Sequence, residues 1–130
     1  MIVISLNGIK LPVPPSPVDQ LPLTVPVFQI LLSLTDEARH GYAVIQEVAE
    51  RTGGEVTLTA STLYGAVARM LAAGLIEEKD PPEGQERRRL YALTRRGRTL
   101  LADEARRLAR ATDWAREKHI LPAAGRGGRK

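Results

Sequence analysis

Three short stretches with helical apolar spacing, each cut off by its own stop signal, constrain this chain more than any other feature. Val27, Ile30, Leu31 and Leu34 fall at i, i+3, i+4 and i+7, one face of a helix. Thr24 stands where a cap is needed, Pro26 suits the first turn, and the polar run Thr35–Arg39 ends the helix. A second helix opens at His40-Gly41-Tyr42 and runs to about Thr52, with Tyr42, Ile45, Val48 and Ala49 predicted inward. Gly53-Gly54 stops it, because glycine takes the positive φ of a helix C-terminus without strain. Thr59 caps a third helix whose apolar stripe is Leu63, Val67, Met70 and Leu71, and Gly74 closes it. Helices this short are marginal alone and must pack on one another.

Between and after these helices the pattern turns to strands. Glu55-Val56-Thr57-Leu58 alternates and predicts a short strand. Leu75–Lys79 and Arg88–Leu93 predict two more, around the turn-rich Asp80-Pro81-Pro82-Glu83-Gly84-Gln85-Glu86. Thr94 caps a long last helix expected to reach Ile120, with Pro122 as its stop. The expected class is mainly α with a small β-hairpin. Three helices and a two-stranded hairpin make a winged helix-turn-helix domain, whose third helix enters a DNA major groove.

The flanks read differently. Pro12, Pro14, Pro15, Pro17 and Pro22 exclude a helix, so Leu11–Pro22 reads as an extended arm. Met1–Leu11 is apolar but has no basic start, and Asn7-Gly8 breaks its run, so it does not read as a secretory leader. The expected organisation is an N-terminal arm over residues 1–23, a winged helix over 24–94, a dimerisation helix over 95–121 and a basic tail over 122–130. No apolar run approaches the roughly 18–20 residues of a membrane span.

Charge and composition narrow the function. The net charge is +4, but residues 61–130 hold sixteen bases against nine acids while residues 24–60 hold two against five. That asymmetry fits a surface that meets a polyanion, or solvated arginine-rich helix faces. The chain has no cysteine and two distant histidines, His40 and His119, which excludes thiol catalysis and argues against a metal centre. A reducing cytoplasm is the expected location. There is no phosphate loop, no nucleophile elbow and no pair of acids within a predicted pocket, so neither an enzyme nor a cofactor is expected.

The sequence resembles the PadR family of transcriptional regulators. The resemblance rests on His40-Gly41-Tyr42, Glu50-Arg51-Thr52-Gly53-Gly54, Ser61-Thr62-Leu63-Tyr64, Arg69-Met70-Leu71 with Gly74-Leu75-Ile76, and Arg88-Arg89-Leu90-Tyr91-Ala92-Leu93-Thr94 with Gly97. It spans roughly residues 24–100. It implies a DNA-binding homodimer, usually a repressor, paired through the C-terminal helix. Two positions depart from it. Gly65 stands where members often carry proline, and Ala68 where they carry lysine, which removes positive charge from the third helix.

The candidate DNA-binding residues are Ser61, Thr62, Tyr64, Arg69, Arg88, Arg89 and Tyr91. Ser61, Thr62 and Tyr64 occupy the first turns of the third helix, facing outward while Leu63 anchors the core. Alone, they read as capping and packing residues; the resemblance turns Thr62 and Tyr64 into contacts. Arg69 is open between a phosphate and an acid of the second helix. Strand alternation sends Arg88 to the face opposite Arg87 and Arg89. Tyr91 is open between a phosphate contact and cross-strand packing. His40 reads as a cap, Gly41 as a point of close backbone approach, and Tyr42 as core.

In the last helix Leu101, Ala105, Leu108, Thr112, Ala115 and His119 recur in steps of four and three, a narrow heptad-like stripe flanked by arginines. Such a helix needs a partner, either a symmetry mate or its own domain. The predicted dimer interface is Leu101, Ala105, Leu108, Thr112, Trp114 and Ala115. The resemblance also allows a small aromatic effector in the dimer cleft against Trp114. The expected partners are double-stranded DNA and a second copy of the chain. The rival reading, from Gly65, Ala68 and the acidic loop, is a winged-helix protein-interaction module without specific DNA binding.

Overall fold

A computed structural model describes residues 3–6, 9–12, 18–81, 83–84 and 88–124. The elements are β1 (Val3–Leu6), β2 (Ile9–Pro12), α1 (Val25–Ser33), β3 (Arg39–His40), α2 (Gly41–Arg51), α3 (Ala60–Ala72), β4 (Ile76–Lys79), β5 (Leu90–Leu93) and α4 (Arg95–Glu117). They form a winged helix-turn-helix domain, mainly α with a small antiparallel sheet. Four helices are capped where the sequence places a side-chain acceptor. Thr24, Thr59 and Thr94 accept from the amides of Val27, Thr62 and Gly97 at 3.3, 3.0 and 3.0 Å. His40 does the same for Ala43 through Nδ1. Each hydroxyl cap contributes about 1 kcal/mol.

The core lies between α1, α2 and α3 and runs onto the wing. Ile30, Leu31, Val44, Val48, Leu63, Met70 and Leu75 are almost fully buried. Gly41, Val44 and Val48 face it from α2, which turns Tyr42 out to solvent at 64% exposure. The inward placement of Tyr42 is thus corrected. The helix starts at Gly41, and its phase places the small residue, not the aromatic one, against α3.

The sheet order is β3-β5-β4, all antiparallel, with Arg39 opposite Tyr91 and Glu78 opposite Tyr91 on the other side. The strand expected at Glu55–Leu58 does not form. The Thr52 hydroxyl donates to the Val48 carbonyl at 2.8 Å and accepts from the Val56 amide at 3.0 Å, folding this segment back on the end of α2. The open edge of β5 is taken instead by Arg39–His40.

The chain upstream of α1 joins the same body. Val18 and Leu23 are buried in the core, and the Leu23 amide donates to a Glu104 carboxylate oxygen at 3.0 Å. Arg96 holds Asp19 at 3.0 Å. Packing therefore begins before Thr24. Further upstream, β1 and β2 pair with Val3 opposite Pro12 and Leu6 opposite Ile9. Most of the proline run (residues 13–17), Arg87 and the end of the basic tail (residues 125–130) lie outside the described residues.

The last helix ends earlier than Pro122 would require. Lys118 is its C-cap, His119 takes a φ of 63°, and the Ile120 amide returns to the Ala115 carbonyl at 2.9 Å. Near its start, Gly97 lies so close to the wing that a Cβ there would overlap the Leu75 carbonyl. Leu101 is buried within its own domain, which corrects its assignment to a dimer seam. The first turns of α4 close the core instead. Among the described residues, no helix is long and apolar enough to cross a membrane.

Candidate nucleic-acid interface

The site is assembled from the start of α3, the start of α2 and the base of the wing. Thr59 caps α3, so Ser61, Thr62 and Tyr64 project outward while Leu63 is fully buried beneath them. The Thr59 hydroxyl also donates to Thr62 Oγ1 at 3.0 Å, which leaves the Thr62 proton to donate outward. Tyr64 crosses to α2, where its ring and hydroxyl lie over Gly41. A Cβ on Gly41 would overlap that hydroxyl. This is the close approach expected of the glycine in His-Gly-Tyr.

A cavity of about 290 Å³ opens at this crossing, walled by His40, Tyr42, Tyr64, Arg88, Arg89 and Tyr91. Four of the predicted contact residues are thus brought together from two separate elements. The two arginines behave differently. Arg89 donates to Glu78 across the hairpin at 2.8 Å, and that bond, with the charge attraction behind it, raises the guanidinium above its ordinary value. Arg88 has no carboxylate partner among the described residues; its Nη1 lies 3.4 Å from His40 Nε2. Tyr91 is buried to 6% exposure and forms the cavity floor. Burial first, then the negative charge of Glu78, raises its phenol above the ordinary range. This environment favours the packing alternative for Tyr91.

Arg69 sits apart. It lines a different cavity of about 260 Å³ with Val18, Leu21, Pro22, Thr24 and Val27, and pairs with no acid among the described residues. The arginines of α4 are largely spoken for. Arg106, Arg107 and Arg116 pair with Asp103, Glu104 and Asp113, each three residues earlier. The surplus of bases in the second half is therefore less bare than the sequence implies.

Of the predicted seam on α4, Leu101 is internal, whereas Leu108 is 39% and Trp114 59% exposed. Ala105 is exposed, and Thr112 and Ala115 are half-buried. Thr112 bonds back to the Leu108 carbonyl at 2.9 Å. An apolar face left uncovered by the described residues begins at Leu108 and continues to Ile120 and Leu121.

Two residues escaped the sequence reading. Glu104 is an acid on an apolar stripe, and only the fold reveals the Leu23 amide it serves. His40 was legible as a cap, but its approach to Arg88 depends on the pairing of β3 with β5, which the sequence does not signal.

The family model for the transcriptional regulator PadR-like family matches residues 30–103. A 37.1 kDa protein in transposon TN4556 of Streptomyces fradiae is 38% identical over 81 residues, 62% of this chain and 22% of that protein. The chain thus spans about a fifth of that relative's length. A PadR family transcription regulator from Clostridium difficile has a similar structure, with a TM-score of 0.59 at 26% identity, covering 69% of this chain and 95% of that one. Bacillus subtilis PadR, solved in complex with operator DNA, has a TM-score of 0.53 at 23% identity, covering 58% of this chain and 44% of that one.

Proposed function

The chain belongs to the PadR-like family of transcriptional regulators, and from that premise we propose that it binds an inverted-repeat operator as a homodimer and represses transcription in the cytoplasm. Members of the family are transcriptional regulators, not enzymes. The observation that carries the reading is the meeting of Tyr64, from the start of α3, with Arg88 and Arg89, from the wing, around one cavity. Phosphate contacts from the wing fix register, and the exposed polar start of α3 reads base edges. The same fold holds operator DNA in Bacillus subtilis PadR.

The roles divide by chemistry. Arg88 neutralises a phosphate, and Arg89 reaches one only by giving up its bond to Glu78. Ser61 supports the start of α3, Thr62 meets a thymine methyl or a base-edge acceptor, and Tyr64 donates its hydroxyl to a phosphate. Arg69, on the far side, contributes to the general field only. Leu108, Trp114 and Ala115 form the dimer contact with Ala105 and Thr112, and Trp114 offers a flat apolar surface to an aromatic effector in the cleft. The pairing of Arg89 with Glu78 favours a second reading, a protein-interaction module in which part of the wing charge is already satisfied.

Selection from a random duplex pool tests the two. A regulator enriches an inverted repeat, and Thr62→Ala then narrows the gap between that site and random DNA, by roughly 1–3 kcal/mol, at nearly unchanged non-specific affinity. A pool with no enrichment favours the interaction module.

A further inference from the structure

Deepening the reading above, and resting on it, we propose that His40 and Arg88 together seat one phosphodiester oxygen of duplex DNA. In this seat His40 donates its Nε2 proton. The cap of α2 sets the state of the ring. The Ala43 amide donates to His40 Nδ1 at 3.3 Å, so Nδ1 presents a lone pair and the ring proton resides on Nε2. Arg88 Nη1 lies 3.4 Å from that same Nε2. A guanidinium carries donors only, so this contact brings two donors face to face and cannot itself be a hydrogen bond. An acceptor placed against both satisfies both.

Three observations select an anionic oxygen of DNA as that acceptor. Arg88 has no carboxylate among the described residues, whereas its neighbour Arg89 is held by Glu78. Both donors open into the cavity of about 290 Å³ whose wall is Tyr64. Tyr64 in turn leads directly to Ser61 and Thr62, the exposed polar start of α3. A phosphodiester oxygen seated here binds the wing and the start of α2 to the same backbone position, fixing the angle at which α3 meets the groove. His40 thus serves as a positioning residue as well as a cap. The pairing of Arg39–His40 with Tyr91 and Leu90 of β5 is what carries the cap to the wing.

The substitution His40→Asn separates the two roles, since asparagine is among the best caps but is too short to replace the Nε2 donor. Its thermal unfolding should match the wild type. Duplex affinity at fixed salt should fall about tenfold, the scale of one hydrogen bond to a charged group. The salt slope should not change, because no charge is removed; Arg88→Ala should lower it by about one. The double variant should lose less than the product of the single losses, because both side chains serve one oxygen. Long-range ¹H–¹⁵N spectra of the free protein should place the His40 ring proton on Nε2. A proton on Nδ1, an unchanged affinity of His40→Asn, or multiplicative losses would each overturn the seat while leaving DNA binding intact. A wild type that holds no duplex at low salt removes the functional reading and the seat with it.

Discussion

A methyl group added at Gly97 would meet the Leu75 carbonyl and the Leu93 side chain, whereas one added at Gly41 would meet the end of Tyr64 and, at 3.0 Å, the buried Leu63 side chain. The first obstacle is backbone held in the core; the second is chiefly the far end of an aromatic side chain that is 49% exposed. Gly97→Ala should therefore cost about 1–3 kcal/mol in a urea midpoint measurement, with a corresponding loss of folded protein. Gly41→Ala should cost less stability than Gly97→Ala, because only the Leu63 side chain resists it from the core, and should weaken duplex binding, because Tyr64 is displaced from the cavity. Equal stability losses at the two positions would mean that Tyr64 is held as firmly as the wing backbone. Both glycines were legible in the sequence as parts of recurring clusters. Gly41 was also legible as a point of close approach, but the residue that each glycine meets was not, since that partner is distant in sequence. Tyr42 shows the same limit. A tyrosine on an amphipathic pattern reads as core, and only the helix phase set by the His40 cap turns it outward.

Helix α4 carries two different jobs along its length. Its first turns close the domain through Leu101, and its later turns present Leu108 and Trp114 to solvent. A continuous stripe in the sequence gave no sign of that division, because an apolar residue looks the same whether its partner is its own domain or another copy. Leu101→Glu should unfold the domain, since a buried unpaired carboxylate costs several kcal/mol. Leu108→Glu should keep the far-ultraviolet helix signal and shift sedimentation to the monomer mass. A Leu108→Glu protein that remains dimeric would move the interface off this face. Glu104 links the same helix to the chain before α1. Arg107 beside it holds its carboxyl below the usual carboxylate range, against the opposing effect of burial and with help from the Leu23 amide. A lowered folded value means the interaction stabilises fully above the ordinary carboxylate value of about 4.3 and is lost as pH falls through the folded value. Glu104→Gln should lose about 1–3 kcal/mol near neutral pH and show a shallower decline than wild type on acidification, followed by urea midpoints across that range. The segment Glu55–Leu58 failed as a strand for a related reason. Alternation signals a strand only when an edge is open to receive it, and Arg39–His40 occupies the edge of β5.

Across the whole molecule, net charge and available charge are different quantities. The pairing of Arg106 with Asp103 and Arg116 with Asp113 leaves these bases poorly placed to neutralise a phosphate. The combined variant Arg106→Gln and Arg116→Gln should therefore bind duplex with the salt slope of the wild type, whereas Arg88→Ala changes it. A drop of two in the slope for the α4 variant would extend the DNA face along that helix. The overall arrangement of helices and wing was legible because caps, stops and apolar spacing agree locally; the distribution of free charge was not, because it depends on which acid each arginine meets. Thr94 donates its hydroxyl to the Gly74 carbonyl at 2.7 Å and its amide to Leu75 at 3.1 Å, and Gly97 rests on that same Leu75 carbonyl. The junction of wing and α4 has no slack. Helix α4 and the wing should therefore turn together as one body, so that a tilt of the helix carries the wing with it.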